Sequence, residues 1–529
     1  MNTKLNIYKI GSNIDNISNF IFKFLTIISI FELILFPSWD TVYAILAIFI
    51  GLIFFKKCFL SPSKLLYYPA STLAISFYIL FFLILPMPAT LIELKPVTYN
   101  LHSTLDTFTN VLLLELVIII IHLLYRMISN KKNIIRPILV KYNFFTKVTS
   151  SELWILIIIS SILWIYIILG SGLYTEDSSN TISTLPTPLY ILNLLVAGYS
   201  SIPFVFFMRN YNIIKEPYHI HKAAIIIFSI SLFIIGIATN MRTAAISVLA
   251  NAFFLFIVYN IYFPINLKQY LTPKSITITI LIIYFFTGPF MSISQAMLQN
   301  RGNREGKNGL EMLEMTMNTL QENKDNNTLP NYKQEEGITW DESYLSNDIL
   351  NRFCSLKILD ETLFHAKRIG YANPIMQEQL KLKILDCLPG FIKEQFKIDQ
   401  IPEDIRQSSL TDILYSLSIH STSNLGGIKI GTLQGLGLAI FGYWYPLVLI
   451  PIFIIIFYFL DATIIFNAKT KSMYFSLWFL ANIITICYYF SDKHYYLNEF
   501  RYIIRGYAES IIFYLITINI IKKIPFIKH

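Results

Sequence analysis

The run FTNVLLLELVIIIIHLLYRM, residues 108–127, followed closely by KKNIIR at 131–136, decides the fold. The run is apolar on every face, with Glu115 and His122 as its interior exceptions and Arg126 at its end. A helix that buries one side against a soluble core keeps a polar face on the other. This one has none, and its length matches the roughly 20 residues needed to cross about 30 Å of hydrocarbon. Barrel strands would alternate apolar and polar residues over about ten positions instead. The cluster of cations directly after the run marks the cytoplasmic end of a membrane span.

The same pattern recurs outward in both directions. Of 529 residues, 54% are hydrophobic and 14% charged, with mean hydropathy +0.55. This excludes a secreted disulfide scaffold, a disordered chain and an ordinary soluble enzyme. About twelve spans are read at the length a bilayer demands: 17–36, 41–56, 67–87, 108–127, 151–171, 187–208, 220–239, 242–262, 275–296, 440–462, 473–491 and 501–521. Every second connection is basic. Lys56, Lys57 and Lys64 follow the second span, Lys131, Lys132 and Arg136 the fourth, Arg209 and Lys215 the sixth, Lys268 and Lys274 the eighth, Lys469 and Lys471 the tenth, and Lys522 and Lys523 the last. The positive-inside rule then predicts an all-α polytopic protein with both termini in the cytoplasm. The first span reads as an uncleaved signal anchor, because the N-terminus is too polar and too weakly basic for a cleaved signal peptide and lacks a small-residue cleavage site. The net charge of +9 is mostly this bias. No basic patch with interleaved aromatics points to nucleic acid.

One large connection, Met297 to Ile430, falls on the outer side between the ninth and tenth spans. It begins with a polar stretch, Arg301 to Gly337, that reads as flexible. Three amphipathic stretches follow: Ile349 to Leu363 with Asp348 as its N-cap, Met376 to Phe391 broken at Pro389-Gly390, and Ile405 to Leu417. They predict helices lying over the outer mouth of the bundle, or a small helical domain of their own. Cys354 and Cys387 share this segment and could pair there. From 431 the chain is a Gly-rich apolar run, Gly431-Thr-Leu-Gln-Gly-Leu-Gly-Leu-Ala-Ile-Phe-Gly442. With the tenth span it is too long for one crossing. It reads as a short re-entrant or interfacial helix, or as one long tilted helix.

Charges that orientation does not explain are functional candidates. Arg242 lies in an outer turn, Thr239-Asn-Met-Arg242-Thr, where it either faces a ligand or serves its helix end. Arg501 and Arg505 open the last span on the outer side. They form a guanidinium pair for a polyanion, or Arg505 pairs with Glu509 one turn on. Arg352 lies in the first loop helix and His420 at the end of the third. His420 is the first choice for a general base, with Asp492, His494 and Glu499 behind it. Glu115 reads chiefly as an interhelical hydrogen-bonding group and otherwise as a relay. The chain carries no His-Glu-x-x-His, P-loop, GxSxG, GxGxxG or CxxC pattern, so no metal or redox cofactor is expected.

The turn Asn240-Met-Arg242-Thr-Ala, the late outer loop with Leu350-Asn-Arg352-Phe, and its exit through Gly426-Gly427 into Gly435-Leu-Gly-Leu-Ala-Ile-Phe-Gly442 together resemble the Wzy-type oligosaccharide repeat-unit polymerases of bacterial envelopes, the O-antigen and capsule polymerases. The likeness spans roughly residues 190–520 as architecture; its motifs are short, and Thr239-Asn-Met-Arg242 departs from the Ser/Gly–Arg pattern of related ligases and polymerases. It implies a metal-independent glycosyltransferase at the outer face of the inner (cytoplasmic) membrane. Both its donor and its acceptor would be undecaprenyl-diphosphate-linked oligosaccharides. The lipid diphosphate would be the leaving group, and membrane lipid and a chain-length regulator protein would be partners. Arg352 and His420 would then be catalytic, and Arg242, Arg501 and Arg505 would bind diphosphate. A glycan ligase shares this layout. A transporter or flippase of lipid-linked glycan also suits about twelve spans, but internal repeats with matched midplane charges are missing.

Overall fold

The computed structural model describes residues 7–170, 187–196, 198–215, 220–238, 242–263, 288–300, 309–325, 339–347, 350–351, 354–388, 390–395, 408–422, 425–426, 429–487 and 500–523, with scattered positions between 272 and 285. Among the described residues the protein is helical apart from one small antiparallel hairpin, Ile464–Asn467 with Ser472–Phe475, and a single parallel bridge between Val148 and Ile214. Among the described residues, six helical stretches are long and apolar enough to cross a membrane: Ile10–Leu35, Trp39–Cys58, Pro69–Ile92, Thr104–Ser129, Leu433–Asp461 (interrupted at Gly442) and Tyr502–Lys523. Shorter apolar helices run through Ser150–Tyr166, Lys222–Ile237 and Ser247–Tyr262.

Local chemistry sets the helix limits. Ser38 accepts from the Thr41 N–H and Ser103 from the Asp106 N–H, each capping the helix that follows. Asn130, left-handed at φ 42°, closes Thr104–Ser129. Within Pro69–Ile92 the ladder slips to a π turn at Leu80–Ile84, just before Pro86. Proline has no N–H to give the preceding turn, and the wider turn absorbs that loss.

Several expected spans take another form. The stretch read as 187–208 is not one helix. Its helix Thr187–Val196 gives way to short 3-10 turns at Tyr199–Ser201, Pro203–Phe207 and Arg209–Tyr211. Gly198 at φ 85° and Pro203 are the causes. The stretch read as 473–491 begins as the second hairpin strand. It continues as two short helices, Leu477–Ala481 and Ile483–Cys487, with Asn482 between them. The polar stretch read as flexible contains a helix, Gly309–Asp325, packed on Pro289–Gln299 and Lys222–Ala238. The Gly-rich run is a separate helix, Leu433–Phe441, ended by Gly442 at φ 58° and ψ −146°, before Tyr445–Asp461 begins. Only glycine adopts that backbone conformation readily.

The two ends of the bundle are tied differently. At the end carrying Lys64, Arg126, Lys131 and Arg136, the Asp461 carboxylate accepts from the Ala70 and Ser71 N–H groups at 2.8 and 3.0 Å, capping Pro69–Ile79. It also accepts from the Ser71 hydroxyl at 2.7 Å and the Tyr125 hydroxyl at 3.0 Å, joining three helices. At the opposite end, the connection between Pro69–Ile92 and Thr104–Ser129 is stitched to residues 341–347. Glu93 accepts from the Ser346 and Asn347 N–H groups at 2.9 and 2.7 Å. Asn100 donates to Asp341 at 2.8 Å, and Tyr344 donates to the Val97 carbonyl.

That second end also holds the helices of the large loop: Leu356–Ile369, Pro374–Asp386, Gly390–Gln395 and Leu410–Ile419. Leu356, Leu359, Leu363, Met376, Leu380, Leu410 and Leu414 belong to the same continuous hydrophobic core as the long helices. Leu356–Ile369 packs against Thr104–Ser129, Leu410–Ile419 and Leu433–Phe441. Its approach to the last of these is very close. A Cβ added at Gly435 would lie 2.4 Å from Thr362 Cγ2 and 2.6 Å from its Cβ. The chain just beyond Leu356–Ile369 caps the same partner. Ala372 and Asn373 donate to the Leu438 and Ala439 carbonyls, and the Gln377 amide to Ile440, at 3.1, 2.8 and 2.9 Å. The last carbonyls of Leu433–Phe441 are thereby satisfied where Gly442 turns the chain away.

Candidate functional site

Leu356–Ile369 carries Lys357, Glu361 and His365 at four-residue spacing, so all three share one face. Such a stripe would ordinarily face water. Here Lys357, Asp360, Glu361 and His365 are all buried, with exposures of 2% or less. They are buried because the first three turns of the helix lie among the bundle, residues 340–342 and Leu410–Ile419, while its last turn, with Lys367 and Arg368, is exposed.

Each charge has a partner. Asp360 accepts from the His102 and Ser103 N–H groups at 2.7 and 3.0 Å and from the Thr107 hydroxyl at 3.1 Å. It therefore sits on the N-terminus of Thr104–Ser129, where the helix dipole favours a negative charge. Lys357 Nζ lies 3.3 Å from Asp360 and 3.1 Å from Glu361. One oxygen of Glu361 meets His102 Nε2 at 2.9 Å. The other meets His365 Nε2 and the Asp341 N–H, both at 3.2 Å. Burial pushes the Glu361 carboxyl up, but the His365 hydrogen bond, the Lys357 charge and the Asp341 N–H outweigh it and hold it down at about 2. An ionised Glu361 can only accept hydrogen bonds, so both imidazoles present Nε2–H to it.

The rings are fixed as well. His365 stacks on Trp340 with centroids 5.2 Å apart, meets Tyr415 edge-on, and holds Ser418 Oγ at 2.6 Å through Nδ1. His102 stacks on Phe364 at 4.1 Å and 14°. Its side chain is 38% exposed, whereas Glu361 is fully covered. The cluster is thus a buried ionic network with one imidazole at its rim. His102, Asp360 and Glu361 offer ligand atoms within 4.8 Å of one another, as a metal would require. The Lys357 ammonium already supplies the countercharge between the two carboxylates, however, and Asp360 is engaged by backbone N–H groups. The donor set fits an internal salt network better than a cation site.

The residues expected from sequence are distributed differently. His420 is exposed and takes the left-handed C-cap position of Leu410–Ile419 at φ 54°, its N–H on the Ser416 carbonyl; among the described residues no hydrogen bond orients its ring. Arg501 and Arg505 stand at the start of the last long helix, where they act electrostatically on Cys387 at the end of Pro374–Asp386. Burial raises that thiol, and the two guanidinium charges oppose the rise. The structure therefore brings this arginine pair to the loop helices. Arg505, half-buried, also lies 3.7 Å from the exposed Glu509 in an i,i+4 pair of small energetic weight. Arg242 opens the helix Arg242–Tyr262, but its side chain lies outside the described residues, as do Arg352, Asp492, His494 and Glu499. Cys354 and Cys387 are not joined by a disulfide. Glu115 is buried with neither oxygen hydrogen-bonded among the described residues, so the interhelical bond expected of it does not form.

The cluster was missed because the stripe reads as a solvated helix face. Its one signal was three ionisable residues of mixed sign, four apart, on a helix with an apolar opposite face. His102 gave none, since its partner is 259 positions away. Compared with protein-family models, curated proteins and solved structures, the chain matches none.

Proposed function

We propose that the protein polymerises undecaprenyl-diphosphate-linked oligosaccharide repeat units into O-antigen, capsular polysaccharide or exopolysaccharide at the outer face of the bacterial inner membrane. The observation that carries this reading is the asymmetry of the bundle. One end bears the basic connections and a closed Asp461 network. The other gathers the loop helices, the Glu361–histidine network and the pair Arg501 and Arg505. By the positive-inside rule the second end faces the periplasm, where lipid-linked units are joined.

The chemistry asks for two things at that end. Negative charge develops on the departing diphosphate and needs fixed cations. Arg501 and Arg505 suit this, with Arg242 and Arg352 as further candidates from their sequence positions. The attacking hydroxyl needs a base, for which the one imidazole at the rim of the network is available. Deletion of the gene with analysis of surface glycan tests the proposal. Polymerase activity predicts a shift from long chains to single-repeat caps. Loss of surface glycan with lipid-linked polymer accumulating would identify a ligase instead. Unchanged glycan would overturn the reading and leave transport.

A further inference from the structure

We infer that His102 is the general base that activates the acceptor hydroxyl, and that Glu361 is its positioning residue. The inference rests on the glycosyl-transfer reading above but concerns a residue from the 93–103 connection, far in sequence from the large loop.

Five observations converge on His102. Its Nε2 lies 2.9 Å from an oxygen of Glu361. That carboxylate is fully buried and fixed from three other directions by Lys357, His365 and the Asp341 N–H. The ring stacks on Phe364, which sets its plane. Its backbone N–H is held by Asp360 at 2.7 Å, so the main chain cannot drift either. The side chain remains 38% exposed. Because a carboxylate only accepts, Nε2 is the nitrogen that donates to Glu361, and Nδ1 is the nitrogen turned away from it. A carboxylate behind one imidazole nitrogen, with the other nitrogen unbonded among the described residues and near the surface, is the arrangement that orients a histidine as a base. His365 has the same carboxylate but no access: it is fully buried, and its Nδ1 is occupied by Ser418.

The step balances. The acceptor hydroxyl oxygen bonds to the anomeric carbon of the donor glycan, and its proton passes to His102 Nδ1. The bond between that carbon and the diphosphate oxygen breaks, and the electron pair leaves with undecaprenyl diphosphate.

The test uses full-length protein in lipid nanodiscs and, as probe, lipid-linked oligosaccharide extracted from a strain lacking the gene. Chain growth is read on a glycan gel as turnover against substrate concentration. His102→Ala should lower kcat by about 10²- to 10⁴-fold, the usual contribution of a positioned base, with KM changed little and with partial recovery on adding imidazole. Glu361→Gln should lower kcat in the wild-type background and add nothing to His102→Ala, because the carboxylate acts only through that ring. His102→Ala removes a rim side chain and is the deciding variant should Glu361→Gln not fold. Wild-type turnover by His102→Ala, or a loss that imidazole does not relieve, would overturn the assignment while leaving the polymerase reading intact. No chain growth by the wild-type protein would overturn both.

Discussion

Glu361 is a fully buried carboxylate whose ionised form is held by two histidines, a lysine and a backbone N–H. Its ordinary value of 4.5 falls to about 2 in the folded protein. A carboxyl depressed in this way contributes stability that is complete above the unfolded value and is lost as pH falls from about 4.5 towards about 2. Wild-type protein should therefore have a higher Tm than Glu361→Gln at pH 7, and the gap should narrow at pH 3. Thermal unfolding in detergent at the two pH values measures this, and an equal gap at both would refute it. The residues of this network stand in plain view in the sequence. What the sequence hides is that they are buried, since a mixed-sign stripe on an amphipathic helix has the same pattern whether water or protein covers it. Arg505 shows the opposite case, with its pairing to Glu509 readable from spacing alone.

Among the elements, the pair Leu356–Ile369 and Leu433–Phe441 shows why the Gly-rich run is glycine-rich. At Gly435 a methyl group would meet Thr362 Cγ2 at 2.4 Å, Thr362 Cβ at 2.6 Å and its backbone carbon at 3.0 Å. Gly435→Ala should destabilise the protein by about 1–3 kcal/mol, as overpacking of a close-fitted interface does. Thr362→Ala should recover only part of the loss, because Cβ and the backbone remain. Denaturation of both variants in detergent checks this, and a wild-type Tm for Gly435→Ala would contradict the packing. The sequence leaves the run open between a short re-entrant or interfacial helix and one long tilted helix, and it does not reveal the partner. Other elements misled for local reasons. The runs at 187–208 and 473–491 have the apolarity of spans, yet Gly198, Pro203 and Asn482 interrupt their helices. Gly309–Asp325 was hidden by its polar composition and is held by its contacts with Pro289–Gln299.

For the whole molecule, we propose from the alternating basic connections two cytoplasmic termini and an outer loop from Met297 to Ile430. A reporter that is active only outside the cytoplasm, fused at Asn326, should be active, and one fused at Lys131 should be silent. The reverse pattern would invert the topology and remove the proposed site from its substrate. The sequence by itself determined the solvent of this protein. Apolar runs of bilayer length and lysines on alternate connections are one-dimensional signals, and transfer free energy acts on them span by span. Tertiary structure alone decided where the chemistry could lie. It joined His102 to Glu361, sealed Lys357 and His365 from water, brought Arg501 and Arg505 to the loop helices, and left His420 outside as a helix cap. These are contacts between residues far apart in the chain, and they arise only when the hydrophobic core closes around a helix whose polar face must then find its partners inside.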